Sequence, residues 1–409
     1  MDRQVEIRLA ERAKREVSVW RGMMEGNSGE TGTPCSFPFR EIITYYRSAG
    51  RMAADPSLVA SLRELPAAAS GRDPVLPGWL RMAVDQEDGD YATYFGAELY
   101  ERHGGGPKDA VIAALVADLV FLEAQVLCSD AGDGRQLTRT KAAVQALAGL
   151  RDLAPDHGPR GGPIDAVDLS ALLSGNLDDA KFGELAGSAA AVVSAAVPAA
   201  TRHVVDITLL PTTPMHDEQM FLRIIQVFEI LYAHLAQDLT RATALLDQGD
   251  IDATCAVLAK ADGRLRATRT LFRVLTTMPS EAFSVIRDNT DGRSAIQSRS
   301  HRRVELLSAP PPATTAPPSR EPAPAEAAGP TLQEAFLRRE PLLSGPEAHR
   351  LTAALRALDG SWTTAKRTHW GITLKIIGSV PGTGGTSGAD YLEAKSQVPL
   401  FPFLHSATA

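Results

Sequence analysis

Apolar side chains recur along this chain at steps of three and four residues, which is the spacing of an amphipathic helix. The clearest stripe predicts one long helix and comprises Phe221, Ile224, Ile225, Phe228, Leu231, Leu235 and Leu239. Asp217 and Glu218 would occupy its first turn, where carboxylates interact favourably with the helix dipole. A second helix is predicted by the apolar residues Leu258, Leu265, Leu271, Phe272 and Leu275.

Helical spacing also covers residues 110–127, 141–153 and 351–377, and an interruption of the last segment is expected near Gly360. Few segments show the strict alternation of apolar and polar residues that is typical of a half-buried strand. We therefore predict an all-α fold.

One segment, residues 309–330, is not expected to be helical because it contains eight of the 27 prolines of the chain. Such a composition is typical of an extended linker or a surface loop. It separates residues 204–308 from residues 331–409. Residues 1–203 contain no motif that indicates chemistry. We expect them to form an additional helical region that packs on the rest of the chain or builds a subunit interface.

The composition narrows the class of protein. The 409 residues carry a net charge of −7 and 6% of them are aromatic, whereas a nucleic-acid partner needs a basic face and stacking rings. The longest apolar stretches, residues 111–127 and 185–200, are interrupted by acidic residues or by proline, so no membrane span is expected. Three widely separated cysteines indicate neither a disulfide framework nor a zinc site, and we expect a cytoplasmic protein.

Three segments contain side chains suited to chemistry. The first has the run His216, Asp217 and Glu218, which resembles a metal cluster. Consecutive helical residues point in different directions, whereas metal ligands converge, so helix capping is the favoured interpretation. The second segment contains arginines, which can bind a carboxylate through two parallel hydrogen bonds. The candidates are Arg287, Arg293, Arg299, Arg302 and Arg303.

The third segment places His369 on a predicted helix shortly before a glycine-rich loop that begins at Gly382. Taken alone, a helical histidine is more often a surface or core residue, and a glycine-rich stretch is more often a turn. No Lys-Ser/Thr pair follows the glycines and no clear strand precedes them, so neither a P-loop nor a dinucleotide fingerprint is indicated. Backbone N–H groups of such a loop can still approach an anion, with hydroxyl donors from Thr383, Thr386 and Ser387.

Taken together and in this order, the three segments resemble the tryptophan 2,3-dioxygenase family of haem enzymes. The residues that match the first family motif are His216, Asp217, Glu218, Phe221, Gln226 and Glu229. Those that match the second are Phe283, Arg287, Gln297 and Ser298. Those that match the third are His369, Gly378, the run GTGGTSG at 382–388, Tyr391 and Leu392. The resemblance covers residues 204–308 and 331–406, less than half of the chain.

The resemblance implies a helical haem domain and a role for each matching residue. His369 would be the axial ligand of the iron of haem b, because neutral imidazole suits iron. Phe221 and Phe283 would pack against the ring of an aromatic amino acid, and Arg287 would bind its α-carboxylate. Thr383 would hold the ammonium or carboxylate end. The residues expected to line the cofactor are Ser294, Ala295, Gly382 and Gly384.

Two positions depart from the family. Ile225 stands where the family has a distal histidine, and Thr290 stands where it usually has leucine. The hydrogen bond to the indole N–H is thereby lost, and a buried N–H without a partner costs about 1–3 kcal/mol. Either another group or water replaces the imidazole, or the substrate is a different aromatic amino acid or a tryptophan substituted on the indole nitrogen. His301, where the family usually has phenylalanine, lies either at the surface or near the haem.

The resemblance therefore implies a haem- and O2-dependent dioxygenase that opens the indole ring of L-tryptophan or a derivative to a kynurenine-type product, in a specialised biosynthesis. One alternative keeps the site but inserts one oxygen atom, which hydroxylates tryptophan, tyrosine or a derivative. A second alternative is a non-catalytic haem or amino-acid binding protein, and a third is a haem-free helical interaction protein. The family resemblance also implies a homo-oligomer, either a dimer or a tetramer.

Overall fold

The computed structural model describes residues 3–26, 36–65, 73–86, 91–104, 108–129, 134–152, 164, 168–289, 297–311, 329–378 and 387–408. These residues form helices and no strand, which confirms the all-α prediction. Short 3₁₀ helices span Arg51–Ala53, Leu150–Asp152, Glu340–Leu342 and Pro402–Thr408. The α-helices are α1 (Arg3–Gly26), α2 (Phe39–Ala49), α3 (Pro56–Arg63), α4 (Leu76–Ala83), α5 (Tyr91–Phe95), α6 (Ala97–His103), α7 (Lys108–Leu127), α8 (Gln136–Gly149), α9 (Leu169–Ser174), α10 (Asp179–Ala196), α11 (Ala199–Ile207), α12 (His216–Gln248), α13 (Ile251–Thr268), α14 (Leu271–Leu275), α15 (Ser280–Asn289), α16 (Arg299–Ser308), α17 (Leu332–Arg339), α18 (Gly345–Ile376) and α19 (Ala389–Ser396).

The long helix α12 is central, since it packs against α7, α13, α16 and α17. Its buried face contains most of the predicted apolar stripe, with Ile224, Leu231 and Leu239 at most 1% exposed. The helix ends at Gly249, whose φ of 84° favours glycine and whose N–H donates to the carbonyl oxygen of Leu246. The structure thus confirms this helix and extends it beyond the stripe.

The predicted interruption near Gly360 was wrong, because α18 is continuous through that residue. Leu355 and Leu358 before the glycine and Trp362 after it are all buried on one face of the helix. A mid-helix glycine costs about 1 kcal/mol relative to alanine. Burial of this apolar face outweighs that cost, so the helix does not break.

The predicted helix through residues 258–275 is divided in the structure, because α13 ends at Thr268 and α14 begins at Leu271. Between them, the Thr270 hydroxyl donates to the carbonyl oxygen of Ala267 at 3.0 Å. The backbone there follows an i→i−3 pattern, since the N–H groups of Phe272 and Arg273 donate to the carbonyl oxygens of Arg269 and Thr270. Apolar spacing does not reveal this local change of hydrogen bonding.

Buried ion pairs join the N-terminal helices to the rest of the chain. Arg223 of α12 donates to Asp118 of α7 at 2.6 Å. Arg264 of α13 donates to Asp109, which also belongs to α7, at 2.6 Å. Both arginine side chains are 1% exposed. The N-terminal region packs on the rest, which is one of the two roles expected for it. The division at residues 203, 308 and 330 stays a prediction, and residues 312–328 lie outside the described part.

Helix α7 is strongly apolar. Among the described helices it is the one whose segment Asp109–Leu127 is long and apolar enough to cross a membrane by length and composition, and 67% of that segment's apolar window is buried inside the protein. Its neighbours are α8, α10, α11 and α12. Buried helices in protein cores meet the same criterion, so its composition is accounted for by packing.

The His216–Glu218 run fixes the start of α12. The Nε2 atom of His216 lies 3.1 Å from Oε1 of Glu123, while Arg139 donates to Asp217 at 2.7 Å. Glu218 is fully buried and accepts hydrogen bonds from the backbone and hydroxyl groups of the two residues Thr212 and Thr213 at 2.6–2.7 Å. The three side chains therefore point to three different partners, as expected for a structural run rather than a metal cluster.

Candidate active site

A cavity of about 290 Å³ lies between α5, α12, α14, α15, α16, α18 and α19. Aromatic and aliphatic side chains form most of its wall, and a few charged groups interrupt them. This volume is close to the lower end of the range for small-molecule pockets, about 300–1,000 Å³, and the mixture of side chains is typical of such pockets. The cavity is therefore the candidate active site.

Helix α12 contributes one continuous face to this wall. Phe221, Ile225, Phe228, Glu229 and Tyr232 all line the cavity. Their spacing of three and four residues places them on the same side of the helix. Ile225 thus lies in the cavity wall, at the position where the family resemblance implies a missing imidazole, and its side chain makes this part of the wall apolar.

His369 enters the wall from α18. Its ring lies parallel to that of Phe272, with 6.2 Å between centroids and 16° between planes. Burial, with a smaller contribution from His301, lowers the pKa of His369 to about 4. No hydrogen bond of its imidazole to another described residue is found. At neutral pH the ring is uncharged and retains a nitrogen lone pair, which is the state that binds iron.

Helix α15 contributes Phe283 and Arg287, which are one turn apart and both line the cavity. The rings of Phe283 and Phe221 are 6.1 Å apart and meet edge to face at 75°. This arrangement places a guanidinium group on the same helix face as an aromatic ring. A carboxylate and a ring of one small molecule can be bound together by such a pair.

Five of the predicted site residues lie outside the described residues, and their roles stay predictions: Ser294, Ala295, Gly382, Thr383 and Gly384. The end of the glycine-rich loop is described. Gly388 has a φ of 71° and precedes α19, and Gly388, Tyr391 and Leu392 all line the cavity. The described end of the glycine-rich segment therefore lies in the cavity wall.

The N-terminal region supplies cavity residues that the sequence did not indicate. Tyr91, Tyr94 and Phe95 of α5 line the cavity and are at most 4% exposed. The Tyr91 hydroxyl donates to Glu229 at 2.9 Å, and the Tyr94 hydroxyl donates to Glu218 at 2.7 Å. Three aromatic residues within five positions were the available signal in a chain with few aromatics. Only the fold brings them to α12.

Glu229 is the buried carboxyl group of the α12 face, with 5% exposure. Burial raises its pKa to about 7, although hydrogen bonds to Ser298 and Tyr91 oppose that increase. Ser298 is the N-cap residue of α16, where its side chain accepts the backbone N–H of His301. Glu229 therefore links three elements of the wall, and it changes charge near neutral pH.

The part of the wall near α16 and α19 is rich in charge. Lys366, Lys395 and Arg302 line it together with Glu305 and His301. Burial lowers the pKa of Lys366 to about 8. Burial also lowers the pKa of His301, whose ring stacks on Trp362 with 4.8 Å between centroids. His301 thus lies in the cavity wall.

The residues present fit a haem group better than a bare metal ion. No group of three or more His, Cys, Asp and Glu side chains that could hold a metal ion occurs in the part of the chain that the structure describes. Haem iron can be held by a single protein imidazole, because the macrocycle supplies four of its ligands. His369 is neutral and stands in an aromatic wall, so the donor set suits a metal that is held mainly by a macrocycle.

The amino-acid sequence of this chain is distantly similar to those of tryptophan 2,3-dioxygenases. The enzyme of Caulobacter vibrioides is 26% identical over 238 residues, which cover 48% of this chain and 90% of that protein. That of Anaeromyxobacter dehalogenans is 25% identical over 231 residues, which cover 47% and 87%. That of Nocardioides sp. is 26% identical over 236 residues, which cover 47% and 84%. No protein-family model matches the chain.

Proposed function

We propose that this chain is a haem-dependent oxygenase of the tryptophan 2,3-dioxygenase type that acts on tryptophan or a related aromatic amino acid. The observation that carries the proposal is the neutral imidazole of His369 in the wall of an aromatic cavity that also contains Arg287. The distant similarity to tryptophan 2,3-dioxygenases, over about half of the chain, supports it. A non-catalytic haem carrier would have no use for the arginine.

In this proposal, His369 binds the iron, and haem b supplies the activation of O2 when it is bound. Arg287 binds the α-carboxylate of the substrate through charge-assisted hydrogen bonds. Phe221 and Phe283 pack against its aromatic ring, and Ile225 keeps water away from the face of that ring. These residues orient the substrate and exclude solvent, while the cofactor carries the redox chemistry.

We extend the proposal to the five residues outside the described part. Thr383 holds the ammonium or carboxylate end of the amino acid, and the four remaining residues line the cofactor: Ser294, Ala295, Gly382 and Gly384. The leading reaction adds both atoms of one O2 to the indole ring and opens it to a kynurenine-type product, so no external reductant is needed. The extra N-terminal region and the apolar Ile225 support a place in a specialised biosynthesis.

A second reaction is favoured by one observation, the isoleucine at position 225. Without an imidazole to accept the indole N–H, the cavity suits a ring whose nitrogen carries a substituent, or a ring without such a nitrogen. Insertion of one oxygen atom into tryptophan, tyrosine or a derivative is the corresponding alternative. This hydroxylation would need a two-electron reductant together with O2, or hydrogen peroxide as the oxidant.

The test is reconstitution of the full chain with haem, followed by incubation with aromatic amino acids and mass analysis of the products. The incubation is run under ¹⁸O₂ with and without a two-electron reductant, and separately with ¹⁸O-labelled hydrogen peroxide. Two labelled atoms per product support ring opening, and one supports hydroxylation. His369→Ala should abolish the absorption bands of the bound haem. Arg287→Ala should keep haem but raise the substrate concentration needed for half-maximal turnover by about tenfold or more.

Three results would contradict the proposal. Failure of the unchanged protein to take up haem would overturn the assignment, because a stable complex is expected. Haem uptake that is the same in His369→Ala would remove that residue as the ligand. Bound haem without any oxygenated product from tryptophan, N-substituted tryptophan or tyrosine would favour a binding protein.

A further inference from the structure

The charged part of the cavity wall contains more positive than negative groups. Lys366 from α18, Lys395 from α19 and Arg302 from α16 are cations, and Glu305 is the carboxylate among them. Arg302 is 3.3 Å from Glu305. Neither lysine ammonium forms an ion pair with a carboxylate of the described residues. Three cations facing one carboxylate leave two positive charges without a counter-ion in the wall.

Both lysines lie against aromatic rings instead. The Lys366 ammonium is 5.9 Å from the ring centroid of Trp362 and donates to the carbonyl oxygen of Val398. The Lys395 ammonium is 5.7 Å from the ring centroid of Tyr391. A partly buried cation loses hydration, and an aromatic ring restores only part of that loss. An anionic ligand in the cavity would supply the remaining stabilisation of the two ammonium groups.

The position of these three cations relative to His369 indicates which anion they would bind. Lys366 precedes His369 by three residues, so both are on one face of α18 and both line the cavity. Arg287, proposed for the substrate carboxylate, belongs to a different helix, α15. The cavity thus has two separate cationic places, one on the helix of the iron ligand and one on the helix of the ring-binding Phe283.

Resting on the proposed function, we propose that Lys366, Lys395 and Arg302 bind the two carboxylates of the tetrapyrrole. Two uncompensated positive charges match the two negative charges of these groups. Charge-assisted hydrogen bonds from lysine and arginine to carboxylates are short and strong. They would also select one orientation of the macrocycle about the bond to His369, with its carboxylate edge towards α16 and α19.

The experiment compares ferric protohaem IX with its dimethyl ester, which has the same ring and iron but no carboxylate charge. The apoprotein is titrated with each, and binding is followed by the absorbance of the bound haem. The unchanged protein should bind the diacid about tenfold or more tightly than the diester. In the double variant Lys366→Met/Lys395→Met, affinity for the diacid should fall by at least that factor, while affinity for the diester stays the same.

Two control variants accompany this comparison. Lys375→Met removes an exposed lysine of the last turn of α18, and it should leave the preference for the diacid unchanged. Lys366→Arg keeps the charge and should retain the preference. Circular dichroism of each variant reports whether it is folded, and the comparison of diacid with diester in the unchanged protein needs no variant at all.

Equal affinity of the unchanged protein for the diacid and the diester would overturn this inference and leave the proposed function standing. A double variant that keeps its preference for the diacid but binds tryptophan more weakly would assign the lysines to the substrate carboxylate instead. Failure of the unchanged protein to bind either form of haem would overturn both the inference and the proposed function.

Discussion

Ile225 lies in the cavity wall one helical turn from Phe221 and one turn from Glu229. Replacement by histidine would place an imidazole acceptor beside the substrate ring. We expect Ile225→His to increase the preference for tryptophan over N-methyltryptophan, measured as the ratio of kcat/KM values, by about tenfold. The matched variant Ile225→Leu keeps the wall apolar and should leave that ratio unchanged. Equal ratios in the two variants would show that the position does not face the ring nitrogen.

The buried carboxyl group of Glu229 is expected to make the free energy of unfolding depend on pH. Burial raises its pKa from 4.5 to about 7 in the folded chain, so the folded state holds a proton that the unfolded state has lost between those values. Stability therefore falls as pH rises through this window, by about 3 kcal/mol, and is level above it. Glu229→Gln imitates the protonated acid and lacks this loss. In urea unfolding, the free energy of unfolding of Glu229→Gln relative to that of the wild type should be higher at pH 8 than at pH 5.

Glu305 provides a control of opposite sign for that measurement. Burial alone would raise its pKa, but the neighbouring His301, Lys395, Lys366 and Arg302 outweigh burial and lower the pKa below its usual value. Its stabilising charge is present above the unfolded pKa and is lost only as pH falls through the folded one. Glu305→Gln should therefore destabilise the protein by a similar amount at pH 5.5 and at pH 8. If the free energies of unfolding of Glu229→Gln and the wild type changed with pH in parallel, the raised pKa of Glu229 would be contradicted.

The identity of several cavity residues was predictable, but their surroundings were not. The family resemblance singled out Phe221, Phe283, Arg287 and His369, and the structure places all four in one cavity wall. A single sequence does not contain the desolvation that keeps His369 neutral, because that depends on what other helices pack around it. The lysine cluster was missed for the same reason, since its members come from different helices.

Helix α18 offers a test at the scale of one element. Gly360 is exposed in the helix interior, and a Cβ atom added there meets nothing within 4 Å. Gly360→Ala should raise the free energy of unfolding by about 0.5–1 kcal/mol, because alanine restricts the unfolded chain and favours the helix. Thermal or urea unfolding measures this change.

Gly249 is the contrasting glycine at the end of α12. Its φ is 84°, and a Cβ atom there would meet the guanidinium group of Arg339. Gly249→Ala should therefore destabilise the protein, while Gly360→Ala stabilises it. A loss of stability in Gly360→Ala would mean that the glycine serves the bend or packing of α18.

At the scale of elements, apolar periodicity predicted helices well wherever one face is buried along its whole length. The break expected at Gly360 was wrong because tertiary burial overrode a weak local preference of glycine. The opposite error occurred near Thr270, where the backbone changes to i→i−3 hydrogen bonds although the apolar spacing continues. Only the packed structure decides between the two outcomes.

At the scale of the whole molecule, the N-terminal region completes the site rather than standing beside it. Tyr91 donates a hydrogen bond to Glu229, which lies 138 positions further along the chain, and Tyr94 donates one to Glu218, 124 positions further along. Contacts between residues more than 100 positions apart have no signature in local spacing. The sequence therefore located the part of the fold that contains α12, α15 and α18, but not the N-terminal residues that complete the cavity wall.

The ion pair between Arg223 and Asp118 joins that N-terminal region to α12, which makes it a test of the whole assembly. The arginine side chain is 1% exposed and the aspartate side chain 23%. Asp118→Asn removes the counter-charge and leaves a buried guanidinium, so we expect a loss of about 3 kcal/mol or more in the free energy of unfolding. The exposed pair of Arg338 and Asp247, at 2.9 Å, is the matched control, and Asp247→Asn should cost less than about 1 kcal/mol. Equal losses in the two variants would show that the N-terminal helices are not held to α12 through this pair. Haem retention should fall with stability in Asp118→Asn and stay unchanged in Asp247→Asn, because the cavity needs residues from both parts of the chain.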